Sequence, residues 1–467
     1  MQTSLQTAVK TKGLSGAEAL LRTLRGMGVE VIFASPGSDW APLWEALAKP
    51  HAEADYPRYL SVRHEGTAIA MASGYAKSTG KLPAVVIHTT VGVLHATMGI
   101  RAALHERVPI VILAGESVSF GEAPAVEVGR QWLRLLADNG GPARLAESVV
   151  KWSYALNAPH LLPASVARAC QLAMEAPRGP VFLGLSSENL MLTMEADPPV
   201  ASALPQAPVA NAAGLATLAD MLAAARAPLF ITEEIGKNQA AVARLVEVAE
   251  LVGAPVVEAW HPDYVNFPRS HPLYGGVAVT EMPELVRAAD LVVLVDAVAP
   301  WHPPSSLPAA GTKVAVLGES PLHPHLAVWN FQADLMLTGD ADGSLAQLAT
   351  LLRARIAPGS RAASIERHRS DGAARRAKVR AAAHATGDRA VIETAWVAHE
   401  FSAIFPKDAI FVNETITHRL DFHRLLDSLE PGMFYESSYG GLGMGLGTAL
   451  GVKSASPNRP VILAIGD

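Results

Sequence analysis

The sequence predicts an α/β protein with three doubly wound parallel-sheet domains, the last of them incomplete. Short, continuous apolar runs recur along the chain, and such runs are typical of strands that are buried on both faces of a sheet. Segments with apolar residues at helical spacing separate these runs, and alternating helix and strand favours a parallel sheet with helices on both sides. The length of 467 residues corresponds to about three domains of ordinary size.

The first domain is predicted over residues 1–195. Ser15 and Glu18 form a capping-box pattern, which predicts that a helix starts there. A helix rich in small residues is predicted over Glu65–Tyr75. Strands are predicted at Val29–Phe33, Pro83–His88 and Val108–Ala114.

A central domain is predicted over residues 209–352. Residues 353–389 carry ten Arg or Lys against three Asp or Glu. We interpret this segment as a solvated basic linker helix, because it lacks the aromatic and glycine partners of a nucleic-acid-binding arm. A third domain is predicted over residues 390–467. The strands predicted in these two domains are Pro228–Thr232, Ala254–Val257, Leu291–Val295, Lys313–Leu317, Ala409–Val412 and Val461–Ile465.

The third domain ends at Gly466 and Asp467, where a parallel strand should be followed by a helix. A domain with so few strands is too small to bury both faces of its sheet. We therefore expect the sequence to be part of a longer polypeptide. A partner chain that completes the domain is the alternative.

The composition excludes several classes of protein. Half of the residues are hydrophobic, and the formal net charge is −6, so neither disorder nor a basic nucleic-acid-binding surface is expected. The single cysteine, Cys170, cannot form an internal disulfide. The first twelve residues lack the apolar stretch of a signal peptide, and no apolar window is long enough to span a membrane. We expect a soluble, cytoplasmic protein with several domains.

A glycine-dense run and a later carboxylate mark the third domain as a candidate site. Five glycines fall within Tyr439–Gly447, although each costs a helix about 1 kcal/mol against alanine. They permit close backbone approach, either to a ligand or to another helix. The strand Val461–Ile465 then ends in Gly466 and Asp467. A carboxylate at the carboxyl end of a parallel strand is where α/β folds place ligands for metals and phosphates.

The segment Phe434–Asp467 resembles the matching region of acetolactate synthases and benzoylformate decarboxylases, which are thiamine diphosphate-dependent enzymes. Its last residues look like the opening of that family's Gly-Asp-Gly…Asn motif, cut after the second residue. The resemblance implies that Asp467 ligates a Mg²⁺ ion that bridges the diphosphate of the cofactor, and that Gly440, Gly441 and Gly466 bind the cofactor. Oxygen ligands suit such a hard cation.

A second resemblance lies in the first domain, where Arg63–Ala76 is similar to the pyrimidine-domain signature of the family. It implies that Glu65 bonds the aminopyrimidine of thiamine diphosphate and drives it to the imino form that activates C2. Glu65 opens a helix made mostly of Ala, Ile, Met and Gly, a largely apolar setting in which a carboxyl can share a proton. Without the resemblance, a glutamate in a first helical turn would be explained by the helix dipole.

The central segment fits the same family. Phe267–Gly276 and Ala289–Asp296 are typical of its central domain. The resemblance therefore covers nearly the whole chain, in the order pyrimidine-binding, central and diphosphate-binding domain.

Local details resemble benzoylformate decarboxylase more than acetolactate synthase. Val412–Thr417 resembles its diphosphate-side loop and implies that Thr417 binds the diphosphate. His88 looks like its active-site histidine, and Ser38 and His302 fall where its serine and second histidine stand. Histidines suit proton delivery near neutral pH. A turn-closing role for Ser38 stays open, and so does the absence of any role for His302, since the surrounding Pro-Trp-X-Pro also occurs in acetolactate-synthase-like relatives.

Two further assignments follow from the resemblance. Gly37 is implied to bind the cofactor, and Leu442 to prop it in its bent form, with core packing as the alternative for Leu442. Glu116 departs from the family, since acetolactate synthases usually carry glutamine there. The central domain also has no clear flavin-binding signature, which weakens an FAD-containing acetolactate synthase.

The resemblance implies a thiamine diphosphate- and Mg²⁺-dependent enzyme that decarboxylates a 2-oxo acid through an enamine at C2 of the cofactor. An acetolactate-synthase-like carboligase, a 2-hydroxyacyl-CoA lyase and a non-catalytic subunit remain alternatives. The family places the cofactor between two subunits, so a dimer is the minimum and a tetramer the expected state. Neither nucleic acid nor membrane is expected as a partner.

Overall fold

The computed structural model of the chain describes residues 13–116, 118, 128–129, 133, 137–194, 202–277, 282–301, 306–326 and 331–466. The chain divides into two compact units, one within residues 1–76 and 81–205 and the other within residues 77–80 and 206–467. The α/β prediction is confirmed, because the described residues form three parallel sheets with helices against them.

The first unit contains one large sheet and one small one. Its strands are β1 (Leu14–Ser15), β2 (Val31–Ser35), β3 (Arg58–Ser61), β4 (Ala84–Ile87), β5 (Ile110–Glu116), β6 (Trp152–Ala155), β7 (Pro180–Ser186) and β8 (Thr193–Met194). Its helices are α1 (Gly16–Gly26), α2 (Ala41–Ala48), α3 (Glu65–Thr79), α4 (Thr90–His105), α5 (Pro142–Ala146), α6 (Leu162–Met174) and α7 (Ser187–Met191). Six strands pair in the order β3-β2-β4-β5-β7-β6, all parallel, while β1 and β8 pair antiparallel.

A capping pattern in the sequence determines where the first helix of this unit begins. The Ser15 side chain accepts a hydrogen bond from the backbone N–H of Glu18, and the Glu18 carboxylate accepts one from the Ser15 N–H, so the predicted capping box is confirmed. Helices α1 and α6 contact one another. Their apolar faces and the central strands form one buried cluster, which includes Leu20, Val86 and Val166.

The second unit contains the other two sheets. Its strands are β9 (Pro228–Thr232), β10 (Val256–Glu258), β11 (Tyr274–Val277), β12 (Leu291–Val295), β13 (Lys313–Gly318), β14 (Leu335–Thr338), β15 (Ile410–Glu414), β16 (Phe434–Glu436) and β17 (Val461–Ile465). Its helices are α8 (Ala212–Ala224), α9 (Gln239–Val252), α10 (Pro283–Ala288), α11 (Ala341–Arg353), α12 (Ala362–His384), α13 (Thr394–Ile404), α14 (Arg419–Leu425) and α15 (Met444–Ala455).

Both sheets of the second unit are parallel throughout. One has the order β11-β10-β9-β12-β13-β14, and the other has three strands in the order β16-β15-β17. The predicted basic linker helix forms as α12, which is mostly exposed. Among the described residues, no helix combines the length and the apolar character needed to cross a bilayer.

Candidate active site

The carboxyl ends of β2 and β4 form the topological switch point of the first sheet. After β2 the chain continues to β3 on one side, whereas β4 pairs with the other side of β2. Such points bind ligands in α/β folds, because the loops after the two strands separate and leave a crevice. Gly37 and Ser38 follow β2, and His88 follows β4. The fold therefore brings three residues assigned from the sequence to one crevice.

His88 is held by a carboxylate that the sequence analysis did not single out. Its Nδ1 lies 2.6 Å from Oδ1 of Asp39, whose side chain is fully buried. Because a carboxylate accepts hydrogen bonds, the proton of this bond is on Nδ1. Nε2 is then the ring nitrogen with a lone pair, and it can accept a proton.

Two glycines make room for this pair. A Cβ on Gly37 would stand 2.2 Å from Nδ1 of His88, and a Cβ on Gly115 would stand 1.6 Å from Oδ2 of Asp39. Neither position tolerates a side chain unless the pair moves. Gly37 is thus explained by the packing of His88, and a role in cofactor binding stays a prediction.

Glu65 lies beside His88, across Gly92 at the start of α4. A Cβ on Gly92 would stand 3.3 Å from both Oε1 of Glu65 and Cβ of His88. The Glu65 side chain is largely buried and opens α3, as its sequence setting predicts. The structure therefore brings Glu65 and His88 close together on either side of Gly92.

Two further histidines surround Glu65. Nδ1 of His95 lies 3.1 Å from Oε2 of Glu65, and the rings of His64 and His95 stack with centroids 5.0 Å apart. Ligand atoms of these three residues lie within 4.8 Å of one another, so the group could hold a metal ion. Nδ1 of His64, however, already accepts a hydrogen bond from the backbone N–H of Gly66.

Glu116 ends β5, next to the switch point. Burial raises the pKa of its carboxyl to about 7, and the nearby Asp138 carboxylate adds to the rise. A Cβ on Gly184 would stand 2.3 Å from Oε1 of Glu116, so this side chain lies flat across the neighbouring strand. It is a carboxyl that can be protonated near neutral pH.

Of the two remaining predicted catalytic residues, the structure describes Ser38 but not His302. Ser38 is exposed and opens a short 3₁₀ turn that ends at Trp40. Its position at the crevice fits a binding role as well as the turn-closing alternative. His302 lies outside the described residues, so its predicted role stays a prediction.

The three-stranded sheet has a switch point of its own, between β15 and β17. β15 pairs with β16 on one side and with β17 on the other, and Glu414 is in register with Ile465. Gly466 therefore follows β17 at the same edge at which Glu414 ends β15. Asp467, the predicted metal ligand, lies outside the described residues.

Helix α15 begins at this edge, after the glycine-dense run. Its first N–H group, that of Met444, donates a 2.9 Å hydrogen bond to Oε1 of Glu414. The other carboxylate oxygen of Glu414 is buried and has no hydrogen-bond partner among the described residues. A Cβ on Gly445 would stand 2.8 Å from that oxygen. A helix N-terminus offers donors of the kind that phosphate requires, and a carboxylate oxygen left unpaired beside it suits a hard cation.

The remaining predicted residues of the third domain lie in the loop after β15 and in the loop before this N-terminus. Gly440 and Gly441 precede it, and Thr417 is exposed in a 3₁₀ turn after β15. Leu442 is 74% exposed, so the alternative of core packing within its own unit is wrong. Gly443 has φ of +93°, a left-handed conformation that favours glycine.

Asp39, Gly92 and His95 belong to the site, although sequence reasoning passed them over. Asp39 follows the assigned Ser38 directly, and its place in the same turn was the one available signal. Gly92 and His95 lie in α4, where nothing in the helical spacing distinguishes the residues that face Glu65.

Family models match the chain in three segments. The thiamine pyrophosphate enzyme N-terminal TPP binding domain matches residues 14–130, the central domain matches residues 215–348, and the C-terminal TPP binding domain matches residues 416–467. The order is the one that the sequence predicts.

Known proteins resemble the chain over nearly its whole length or over part of it. A benzoylformate decarboxylase from Pseudomonas aeruginosa is 27% identical over 460 residues, which are 95% of this chain and 79% of that protein. An acetolactate synthase large subunit from Haemophilus influenzae is 30% identical over 186 residues, 38% of this chain and 29% of that protein. The crystal structure of benzoylformate decarboxylase from Polynucleobacter necessarius superposes with a TM-score of 0.76 at 22% identity, covering 97% of this chain and 80% of that one. This last likeness bears on the fold alone.

Proposed function

The chain belongs to the thiamine diphosphate-dependent enzymes, and from that premise we propose that it is a carbon–carbon lyase that decarboxylates a 2-oxo acid with thiamine diphosphate and Mg²⁺. When bound, the cofactor would supply a nucleophilic carbon for the 2-oxo group and an electron sink for the charge left by CO₂. The proposal depends above all on one observation: Glu65 and the Asp39–His88 pair stand on either side of Gly92 at a switch point.

The residues at the first switch point can bind and activate the pyrimidine end of the cofactor. Glu65 presents a largely buried carboxylate, which can hold a proton shared with a ring nitrogen. Its second oxygen bonds His95 at 3.1 Å, which fixes the orientation of the carboxylate. Gly92 leaves the space beside Oε1 open.

The residues at the second switch point can bind the diphosphate end. The N-terminus of α15 offers backbone N–H groups, Gly440 and Gly441 precede it in the chain, and Thr417 lies in the turn after β15. The unpaired oxygen of Glu414 suits a hard cation. In this proposal Asp467 is the metal ligand, Gly466 lines the diphosphate, and Leu442 supports the cofactor from its exposed position.

His88 and Ser38 act on the substrate. Asp39 holds the proton on Nδ1 of His88, so Nε2 can take up a proton and return it to the carbon that has lost CO₂. Ser38 offers an exposed hydroxyl that can donate to the substrate carboxylate. His302 is a second proton donor in this scheme.

Exposed apolar stripes support self-association. Val91, Leu94 and Met98 follow helical spacing on α4 and are 49%, 57% and 47% exposed, and Leu446 and Leu450 form a similar stripe on α15. Such stripes are typical of protein interfaces. We propose that the chain forms at least a dimer, with a tetramer as the expected state.

An acetolactate-synthase-like carboligase is the second candidate, and the local similarity to acetolactate synthase favours it. Both reactions release CO₂, and they differ in the fate of the fragment that remains. A decarboxylase protonates this fragment to an aldehyde, whereas a carboligase joins it to a second carbonyl compound.

Product analysis separates the two candidates. The full-length protein, loaded with thiamine diphosphate and Mg²⁺, is incubated with benzoylformate and with pyruvate, and CO₂ and organic products are quantified. An aldehyde formed in equal amount to CO₂ supports the decarboxylase. Acetolactate from pyruvate overturns it in favour of the carboligase. Absence of CO₂ with a wide panel of 2-oxo acids would contradict both and favour a non-catalytic subunit.

A further inference from the structure

A small cavity lies within the second unit. It has a volume of about 90 Å³ and is bounded by the edge strand β11, the linker helix α12 and helix α14. Arginine dominates its polar lining, with Arg269, Arg375, Arg376 and Arg424. None of these residues takes part in the candidate active site.

Two of the arginines converge on one point. A Cβ on Gly372 would stand 3.4 Å from Nη1 of Arg376 and 3.8 Å from Nη2 of Arg375, so both guanidinium groups approach the gap that this glycine leaves in α12. Both side chains are half-buried, and among the described residues neither forms a hydrogen bond or an ion pair. Two like charges brought together without a carboxylate repel each other unless an anion joins them.

The carboxylates near the cavity are already engaged. Asp427, which also lines it, is 2.5 Å from Nη2 of Arg380. Glu258 lies 3.7 Å from Nε of Arg269 and accepts a hydrogen bond from the Tyr274 hydroxyl.

The buried wall of the cavity adds a further donor. Arg269 is fully buried and donates to the carbonyl of His423 at 3.1 Å, yet its Nε has no hydrogen-bond partner among the described residues. A buried donor without an acceptor is costly and calls for an explanation. Glu258 pairs with the charge of Arg269 at 3.7 Å without a hydrogen bond to Nε, and a bound anion would provide the missing acceptor.

We propose that this cavity binds a phosphate-sized oxyanion, either free or as the phosphate group of a small metabolite. Guanidinium groups recognise phosphate with paired N–H donors, and Arg375 and Arg376 bring two of them to one small space. Gly275 and Gly276 on β11 also line the cavity. Because the lining comes from β11, α12 and α14, the bound anion ties these elements together.

The first test is a titration of the holoenzyme with inorganic phosphate by calorimetry at constant ionic strength. Prior saturation with thiamine diphosphate and Mg²⁺ blocks the cofactor site. We expect saturable binding at one site per chain, with at least a tenfold loss of affinity in the double variant Arg375→Gln/Arg376→Gln. The matched control Arg367→Gln/Arg369→Gln removes the same charge from exposed positions of the same helix and should bind like the unaltered protein. Equal affinity in the two double variants, or no saturable binding, overturns the proposal.

A second test leaves all the arginines of the cavity in place. Gly372→Glu places a carboxylate where the two guanidinium groups converge, and Gly372→Gln is its uncharged match in size and helix propensity. We expect the glutamate variant to melt at a higher temperature than the glutamine variant without phosphate, and to lose the thermal shift that phosphate produces. Equal melting temperatures, with phosphate shifting both variants alike, would contradict an anion site here. A metabolite phosphate is distinguished from the free ion by repeating the titration with a sugar phosphate.

Neither test depends on turnover. Failure of the proposed decarboxylase activity would leave the phosphate measurements unchanged, and failure of phosphate binding would leave the assignment of the active site unchanged.

Discussion

At the scale of residues, the central feature is a histidine fixed by a buried carboxylate. Asp39 sets the proton of His88 on Nδ1 and so decides which nitrogen faces the crevice. Sequence reasoning identified His88, Glu65 and Ser38, because each lies in a stretch that resembles the family. Asp39 and His95 escaped it, since their contacts join positions 49 and 30 residues apart, and no local pattern encodes such a contact.

Replacing Asp39 tests its positioning role. We expect Asp39→Asn to lower kcat about 100-fold with little change in KM, because the proton on Nδ1 loses its charged partner and general acid–base catalysis suffers. The measurement is steady-state kinetics on the 2-oxo acid identified by product analysis. In a His88→Gln background the same substitution should have almost no further effect. Additive losses would show that Asp39 acts by some route other than His88.

The raised pKa of Glu116 predicts that the stability of the protein depends on pH. Its folded-state pKa of about 7 lies above the ordinary value of 4.5, so its contribution to stability is fully present below pH 4.5 and is lost as the pH rises through 7. Glu116→Gln removes this titration. We expect the variant to gain in melting temperature over the unaltered protein as the pH goes from 5 to 8, as measured by differential scanning calorimetry. A difference that stays constant across this range would contradict the raised pKa.

At the scale of elements, long buried strands are predictable from the sequence and short ones are not. The predicted bounds of β9, β12 and β17 agree with the structure, because each is a run of five residues of which at least four are apolar. β16 has three residues, too few for any periodicity, and β11 contains two glycines, which disfavour a strand prediction. β2 starts two residues later than predicted, after a turn in which Gly28 has φ of +87°.

The proposed role of the apolar stripe on α4 in self-association can be tested by substitution. Leu94→Glu places a charge in the middle of the stripe, and we expect it to convert the proposed dimer or tetramer to monomer at micromolar concentration. The loss follows from the cost of burying an unpaired carboxylate in an apolar interface. Light scattering coupled to size-exclusion chromatography measures the mass. Leu322→Glu, at a similarly exposed leucine elsewhere, is the control and should leave the mass unchanged. An unchanged mass in both variants would show that the subunit interface does not include this face of α4.

At the scale of the whole molecule, both the fold and the family of the protein could be predicted from the sequence. Alternating helices and buried strands predict three parallel sheets, and three parallel sheets form among the described residues. The domain boundaries at residues 195, 209, 352 and 390 stay predictions. The substrate could not be predicted, because the residues that select it contact the substrate through side-chain geometry that no pattern in the chain records.

The most direct test of the proposed active site is turnover by Glu65→Gln. The full-length protein and the variant are compared for CO₂ release from the best 2-oxo acid, at saturating thiamine diphosphate and Mg²⁺. Glutamine keeps the size of the side chain but cannot share a proton as the carboxyl does. We predict a loss in kcat of about 100-fold or more with the fold intact, as for other residues that transfer protons. Turnover equal to that of the unaltered protein would remove Glu65 from the chemistry and contradict the proposed active site.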